Sequence, residues 1–97
     1  MAKYIILMNW TDQGMRSVKE SPKRLDAARE AAKKLGVQIN DFYMTMGDFD
    51  MVIHIDAPND ESIAKFILST GRGGNVTTRT LKAFSEDEYR KILSSLE

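Results

Sequence analysis

A chain of 97 residues is the size of one domain, and we read it as a single domain over residues 1–97. Fourteen Lys and Arg balance fourteen Asp and Glu, which argues against an electrostatic nucleic-acid binder. With no cysteine and a single histidine, neither disulfides nor thiolate sites can form, and no metal or cofactor is expected.

Absence of cysteine fits a cytoplasmic location. The apolar run Tyr4–Met8 is too short for a signal peptide or a membrane span. It reads as the centre of a first strand, Lys3–Trp10. Tyr4, Ile6, Met8 and Trp10 fall on one face, Ile5 and Leu7 on the other. Thr11 caps a short helical segment that reaches Lys19. Ser21-Pro22 then predicts an N-cap with proline at the first helical position. Leu25, Ala28, Ala32 and Leu35 recur at helical spacing, and Gly36 ends the helix.

Gln38–Met46 predicts the second strand, with Phe42, Met44 and Met46 on one face. A Gly47-Asp48 turn leads into the third, Phe49–Asp56. Its Phe49/Met51/Ile53/Ile55 face is apolar and its Asp50/Val52/His54/Asp56 face is mixed. Asn59 caps a helix with Asp60 and Glu61 in its first turn, Ile63, Phe66 and Ile67 on its buried stripe, and Gly71 at its end. Val76–Ala83 is the fourth strand. Ser85 and Glu88 form a capping box before a last helix carrying Tyr89, Ile92, Leu93 and Leu96.

Two β-α-β halves in this order describe a ferredoxin-like βαββαβ sandwich, an α+β fold with a four-stranded antiparallel sheet and an extra C-terminal helix. The spatial order is fourth, first, third, second strand. Apolar residues on both faces of the central strands require a cover for the helix-free face. The last helix is expected to cover part of it, and a second copy of the chain the rest. The expected partner is therefore the chain itself, as a dimer or a larger even assembly.

Several blocks carry a resemblance: Asn9-Trp10-Thr11-Asp12-Gln13-Gly14, Ser21-Pro22-Lys23-Arg24, Phe42-Tyr43-Met44-Thr45-Met46-Gly47, Asp50, Ala57-Pro58-Asn59-Asp60-Glu61 and Gly74-Asn75-Val76. Together, in this order, they resemble the GYD-domain family over nearly the whole chain. The resemblance implies a ferredoxin-like fold of the dimeric α/β-barrel kind and no settled activity. Phe49 stands where the family usually has Tyr, which removes a phenolic hydroxyl.

Taking the first and third strands as parallel neighbours gathers Asn9, Trp10, Thr11, Asp56 and Asn75 at one end of the sheet. The functional reading is the mouth of a small-molecule pocket. The alternative is that Asn9 and Asn75 satisfy loop amides and Trp10 belongs to the core. Asp50 and His54 are the candidate catalytic groups. They lie about 13 Å apart along the strand, while His54 and Asp56 lie about 6–7 Å apart, within reach of a bridging water. His54 is then a general base oriented by Asp56, or an ordinary strand histidine; Asp50 is a pocket residue, or a cap at the hairpin base.

Two further motifs are set aside. Gly71-Arg72-Gly73-Gly74 follows a helix and precedes a strand, the reverse of a phosphate loop. Gly47-x-Phe49 lacks the basic residue and alternate aromatics of an RNA-recognition strand. The expected function is small-molecule binding in a cavity at the sheet face or subunit interface, with cofactor-free catalysis as an extension. The alternatives are a non-catalytic ligand-binding or regulatory module and a structural assembly protein.

Overall fold

The computed structural model describes all 97 residues. The order is β1 (Ala2–Trp10), α1 (Asp12–Arg16), a 3-10 turn (Val18–Glu20), α2 (Ser21–Lys34), β2 (Gln38–Met44), β3 (Met51–Ala57), α3 (Asp60–Gly71), β4 (Val76–Ala83) and α4 (Glu86–Ser94). The four strands form one sheet in the order β2-β3-β1-β4, the ferredoxin-like arrangement.

Every pairing in that sheet is antiparallel. This is the four-stranded antiparallel sheet expected of the fold, whereas the parallel pairing of the first and third strands, on which the gathering of the site residues rested, is overturned. The physical reason is the chain path. α2 returns the chain so that β2 runs with β1, and the following hairpin reverses β3 against both. Ala2 stands opposite Ala57 and Met8 opposite Met51. The C-terminal end of β1 thus meets the start of β3, not its end.

Alternation decides the core. Tyr4, Ile6 and Met8 of β1 and Met51, Ile53, Ile55 and Ala57 of β3 are buried on the face that α2 and α3 cover. Ala32 from α2, Val37 before β2, and Ile63 and Phe66 from α3 complete the core. The same alternation sends Ile5, Leu7, Val52 and His54 to the other face, where they are half-buried.

Element ends follow local chemistry. Thr11 Oγ1 accepts from the Gly14 amide at 3.1 Å, and Asn59 Oδ1 from the Ser62 amide at 2.8 Å. Ser85 and Glu88 exchange side-chain-to-amide bonds as the capping box requires. Gly36 stops α2 with φ 71°. Ser21 is helical itself and gives no side-chain cap to α2, although proline sits in the first turn.

The β2–β3 connection is longer than a tight turn. Pairing stops at Met44 opposite Met51. The Thr45 amide then donates to the Asp50 carbonyl at 2.8 Å and the Thr45 hydroxyl to the Phe49 carbonyl at 2.5 Å, closing a loop that holds Met46 in solvent. Those bonds take Thr45 and Phe49 out of the ladder. The last helix also departs from expectation. None of α4 is buried, and Tyr89, Ile92, Leu93 and Leu96 are 45–67% exposed, so it leaves the helix-free face uncovered.

Candidate functional site

One end of the sheet is knitted by side chains bonded to backbone. Asn9 Oδ1 accepts from the Asp50 amide at 3.0 Å, and Asp50 Oδ2 accepts from the Trp10 amide at 3.0 Å. These two bonds tie the end of β1 to the start of β3. The Thr11 amide donates to the Asn75 carbonyl at 3.0 Å and its hydroxyl to the Gly74 carbonyl at 2.6 Å. Gln13 Nε2 donates to the Gly73 carbonyl and to Asn75 Oδ1, at 3.0 and 3.1 Å. Gly14 makes the closeness possible: a Cβ there would stand 2.0 Å from the Asn75 carbonyl oxygen. Asn9, Trp10, Thr11 and Asn75 are therefore brought together as expected, through the antiparallel β1–β4 pair that sets Trp10 opposite Val76.

Asp56 is not among them. It pairs with Lys3 at the opposite end of the sheet, a direct consequence of the antiparallel register. On the helix-free face there it accepts from Lys3 Nζ at 3.2 Å, and His54 Nε2 lies 3.6 Å from the same oxygen. His54 Nδ1 lies 3.1 Å from Asp41 Oδ2 across the β2–β3 pair. No bridging water is needed between His54 and Asp56. Burial pushes the Asp56 carboxyl up, but the Asn40 amide, the Lys3 ammonium and the His54 ring outweigh it and hold the group below its usual range. Asp41 and Asp56 flank opposite nitrogens of the ring, and no three His or acidic groups converge as metal ligands would.

Asp50 and His54 thus belong to separate clusters. Asp50 uses its carboxylate, amide and carbonyl to close the hairpin base. These are the bonds that the cap alternative calls for.

A largely apolar, partly open space lies on the helical side of the sheet. A cavity of about 60 Å³ sits between α2, α3 and the sheet, with Met8, Trp10, Leu25, Phe42 and Phe66 among its walls and Arg24 at its edge. This is well under the ~300 Å³ at the lower end of ligand pockets. Two open grooves adjoin it. One shares Trp10, Leu25 and Phe42; the other shares Arg24, Ala28 and Thr70.

The GYD domain family matches residues 4–93 of the 97. The chain belongs to the GYD domain family. A relative from Thermus thermophilus, the glutamine synthetase and cystathionine beta-lyase binding protein, is 29% identical over 84 residues, covering 86% of this chain and 88% of that one. Among solved structures, MtbAldR superposes with a TM-score of 0.67 at 15% identity, covering 87% of this chain and 52% of that one. A feast or famine regulatory protein from M. tuberculosis, complexed with L-methionine, gives 0.57 at 13%, covering 88% and 51%. FFRP-DM1 gives 0.59 at 21%, covering 87% and 100%. This GYD domain spans about half the length of the first two. At these identities the likeness is one of fold.

Within this GYD domain several residues that sequence reasoning passed over prove connected. Arg24 donates to the Ser17 carbonyl and hydroxyl, both at 3.2 Å, and to the Gly14 carbonyl at 3.3 Å. The Tyr4 hydroxyl donates to Asp60 Oδ1 at the start of α3. That bond, then burial, raises the Tyr4 pKa above 10.0. The signal was present: a tyrosine on a buried strand face must find a partner for its hydroxyl. The Arg79 guanidinium lies 6.0 Å from the Phe49 ring centroid, within cation–π range.

Proposed function

We propose that this GYD domain is a non-catalytic binding protein that self-associates through its helix-free sheet face and docks on an enzyme. The observation that carries this reading is the apolar surface without a partner in its own chain. Ile5, Leu7 and Val52 lie half-covered on the sheet, Leu81 is 49% exposed beside Ile5, and the apolar side of α4 is exposed. Apolar patches of this kind mark association sites. The name of the Thermus relative supports an enzyme as the second partner, and we propose a cytoplasmic site of action.

Catalysis has weaker support. The Asp50 carboxylate accepts from the Trp10 amide at the hairpin base, and His54 stands between the carboxylates of Asp41 and Asp56 on the half-open sheet face. The cavity on the other side contains neither.

Two measurements test the reading. Sedimentation at micromolar concentration should give a dimer or larger even assembly; a clean 11.0 kDa monomer sinks the self-association half. The immobilised protein should retain purified glutamine synthetase or cystathionine beta-lyase, and retention of neither sinks the docking half.

A further inference from the structure

We propose that the cleft between α2 and the sheet binds an amphipathic carboxylate, its aliphatic or aryl tail in the cavity behind Trp10 and its anionic head on Arg24. This site lies on the opposite side of the sheet from the docking face and stands independently of it.

Small residues on α2 make the room. Ala28 lines both the cavity and the adjoining groove, and Ala27 and Ala31 line that groove with it. Ten of the thirteen residues around the cavity are hydrophobic, so the space prefers an apolar occupant. About 60 Å³ admits a short alkyl chain or the edge of one ring, with further room where the grooves begin.

Arg24 gives the cleft its second chemical requirement. It is half-buried at the junction of cavity and groove. Its three hydrogen bonds all go to neutral acceptors, the Ser17 carbonyl and hydroxyl and the Gly14 carbonyl. It takes part in none of the ion pairs of the chain. A cation withdrawn from water without a counter-charge is costly, and an anion beside it removes that cost. The guanidinium has five N–H donors, and those bonds occupy at most three. Nε–H is among the free ones, and a carboxylate can take two such donors side by side. The bonds to Ser17 and Gly14 also hold the fork in place before any ligand arrives.

Trp10 is the sole tryptophan and forms part of the cavity wall, so its fluorescence reports occupancy. The probes are 3-phenylpropionate and its neutral counterpart 3-phenyl-1-propanol, titrated into the intact protein. The acid should change Trp10 emission saturably and bind at least tenfold more tightly than the alcohol. Arg24→Gln, which keeps a polar amide but no charge, should weaken the acid at least tenfold and leave the alcohol unchanged. Arg24→Lys should recover part of the loss. Ala28→Leu should fill the space and abolish binding of both. No saturable change at millimolar acid overturns the proposal. So does equal affinity for acid and alcohol, or a folded Ala28→Leu protein that binds like the parent. Should Ala28→Leu fail to fold, Arg24→Gln with the two probes decides alone.

Discussion

The two faces of the sheet are built from the same strands and differ in what finishes them. On the helical face, Ile6 and Ile55 are 0% exposed, sealed by Phe66 and Ile63 of α3 and Ala32 of α2. On the other, Ile5 and Val52 are one residue away from equally buried neighbours and remain half-open. The difference is not hydrophobicity. It is the absence of a covering layer, because α4 departs from the body. One face is therefore completed by the fold, and the other is left half-open.

Truncation should separate the faces most sharply. Ile6→Ala removes a fully buried side chain and should cost about 2–5 kcal/mol, or at least ~8 °C in melting temperature at roughly 4–8 °C per kcal/mol. Ile5→Ala should cost less than half of that in dilute, dissociated protein. Equal losses measured by thermal scan under those conditions would mean that the two faces are equally sealed within one chain.

The rim that joins the faces comes next. Asp50→Ala removes the acceptor of the Trp10 amide and should cost about 1–3 kcal/mol. Asp50→Asn should cost less, because one acceptor oxygen remains. A variant Asp50→Ala that melts within a degree or two of the parent would free Asp50 for a role other than closing the hairpin.

Leu81→Asp addresses the open face alone. It should change the melting temperature of the monomer by no more than ~0.5 kcal/mol equivalent. Its effect should appear in sedimentation, as a shift from assembly to monomer at micromolar concentration. An unchanged assembly would move the contact to α4, where Tyr89, Ile92 and Leu93 offer the other exposed apolar surface.

Much of this contrast was legible in the residues. The alternation Tyr4-Ile5-Ile6-Leu7-Met8 assigns both faces correctly, since side chains in a strand must alternate. The caps at Thr11, Asn59 and Ser85 were legible for the same local reason. Strand direction was legible too, from the order of the connections, which dictates the four-stranded antiparallel sheet; the parallel reading of β1 and β3 ran against that order. Reading β1 and β3 as parallel moved Asp56 to the wrong end of the sheet and separated Asp50 from Asn9 and Trp10, with which it bonds. Arg24 was legible only as part of the Ser-Pro-Lys-Arg block. Its place over the cavity depends on how α2 lies across the sheet, and no local pattern reports that. The amphipathic pattern of α4 was correct, but none of its residues is buried against the rest of the chain.

The smallest expected effect sharpens the contrast further, because pH reaches the two faces at opposite ends of the scale. On the open face, the Asp56 carboxyl is held below its usual range: burial opposes ionisation, but Asn40, Lys3 and His54 outweigh it. A carboxyl whose folded pKa is lowered binds protons more readily when unfolded. Its contribution is complete above the unfolded value and is lost as pH falls through the folded one. On the sealed face, the Tyr4 pKa is raised above 10.0, first by its bond to Asp60, then by burial. The unfolded chain releases that proton first, so this contribution is complete below pH 10.0 and is lost as pH rises through the folded value. Asp56→Asn should therefore flatten the acid limb of stability below about pH 4 and leave the alkaline limb alone. Tyr4→Phe should flatten the limb above about pH 10 and leave the acid limb alone. Denaturant melts of the parent and both variants at pH 3, 7 and 10.5 measure this directly. If Asp56→Asn leaves the acid limb as steep as in the parent, the Lys3–Asp56–His54 cluster carries no acid sensitivity. The open face would then contribute apolar surface alone.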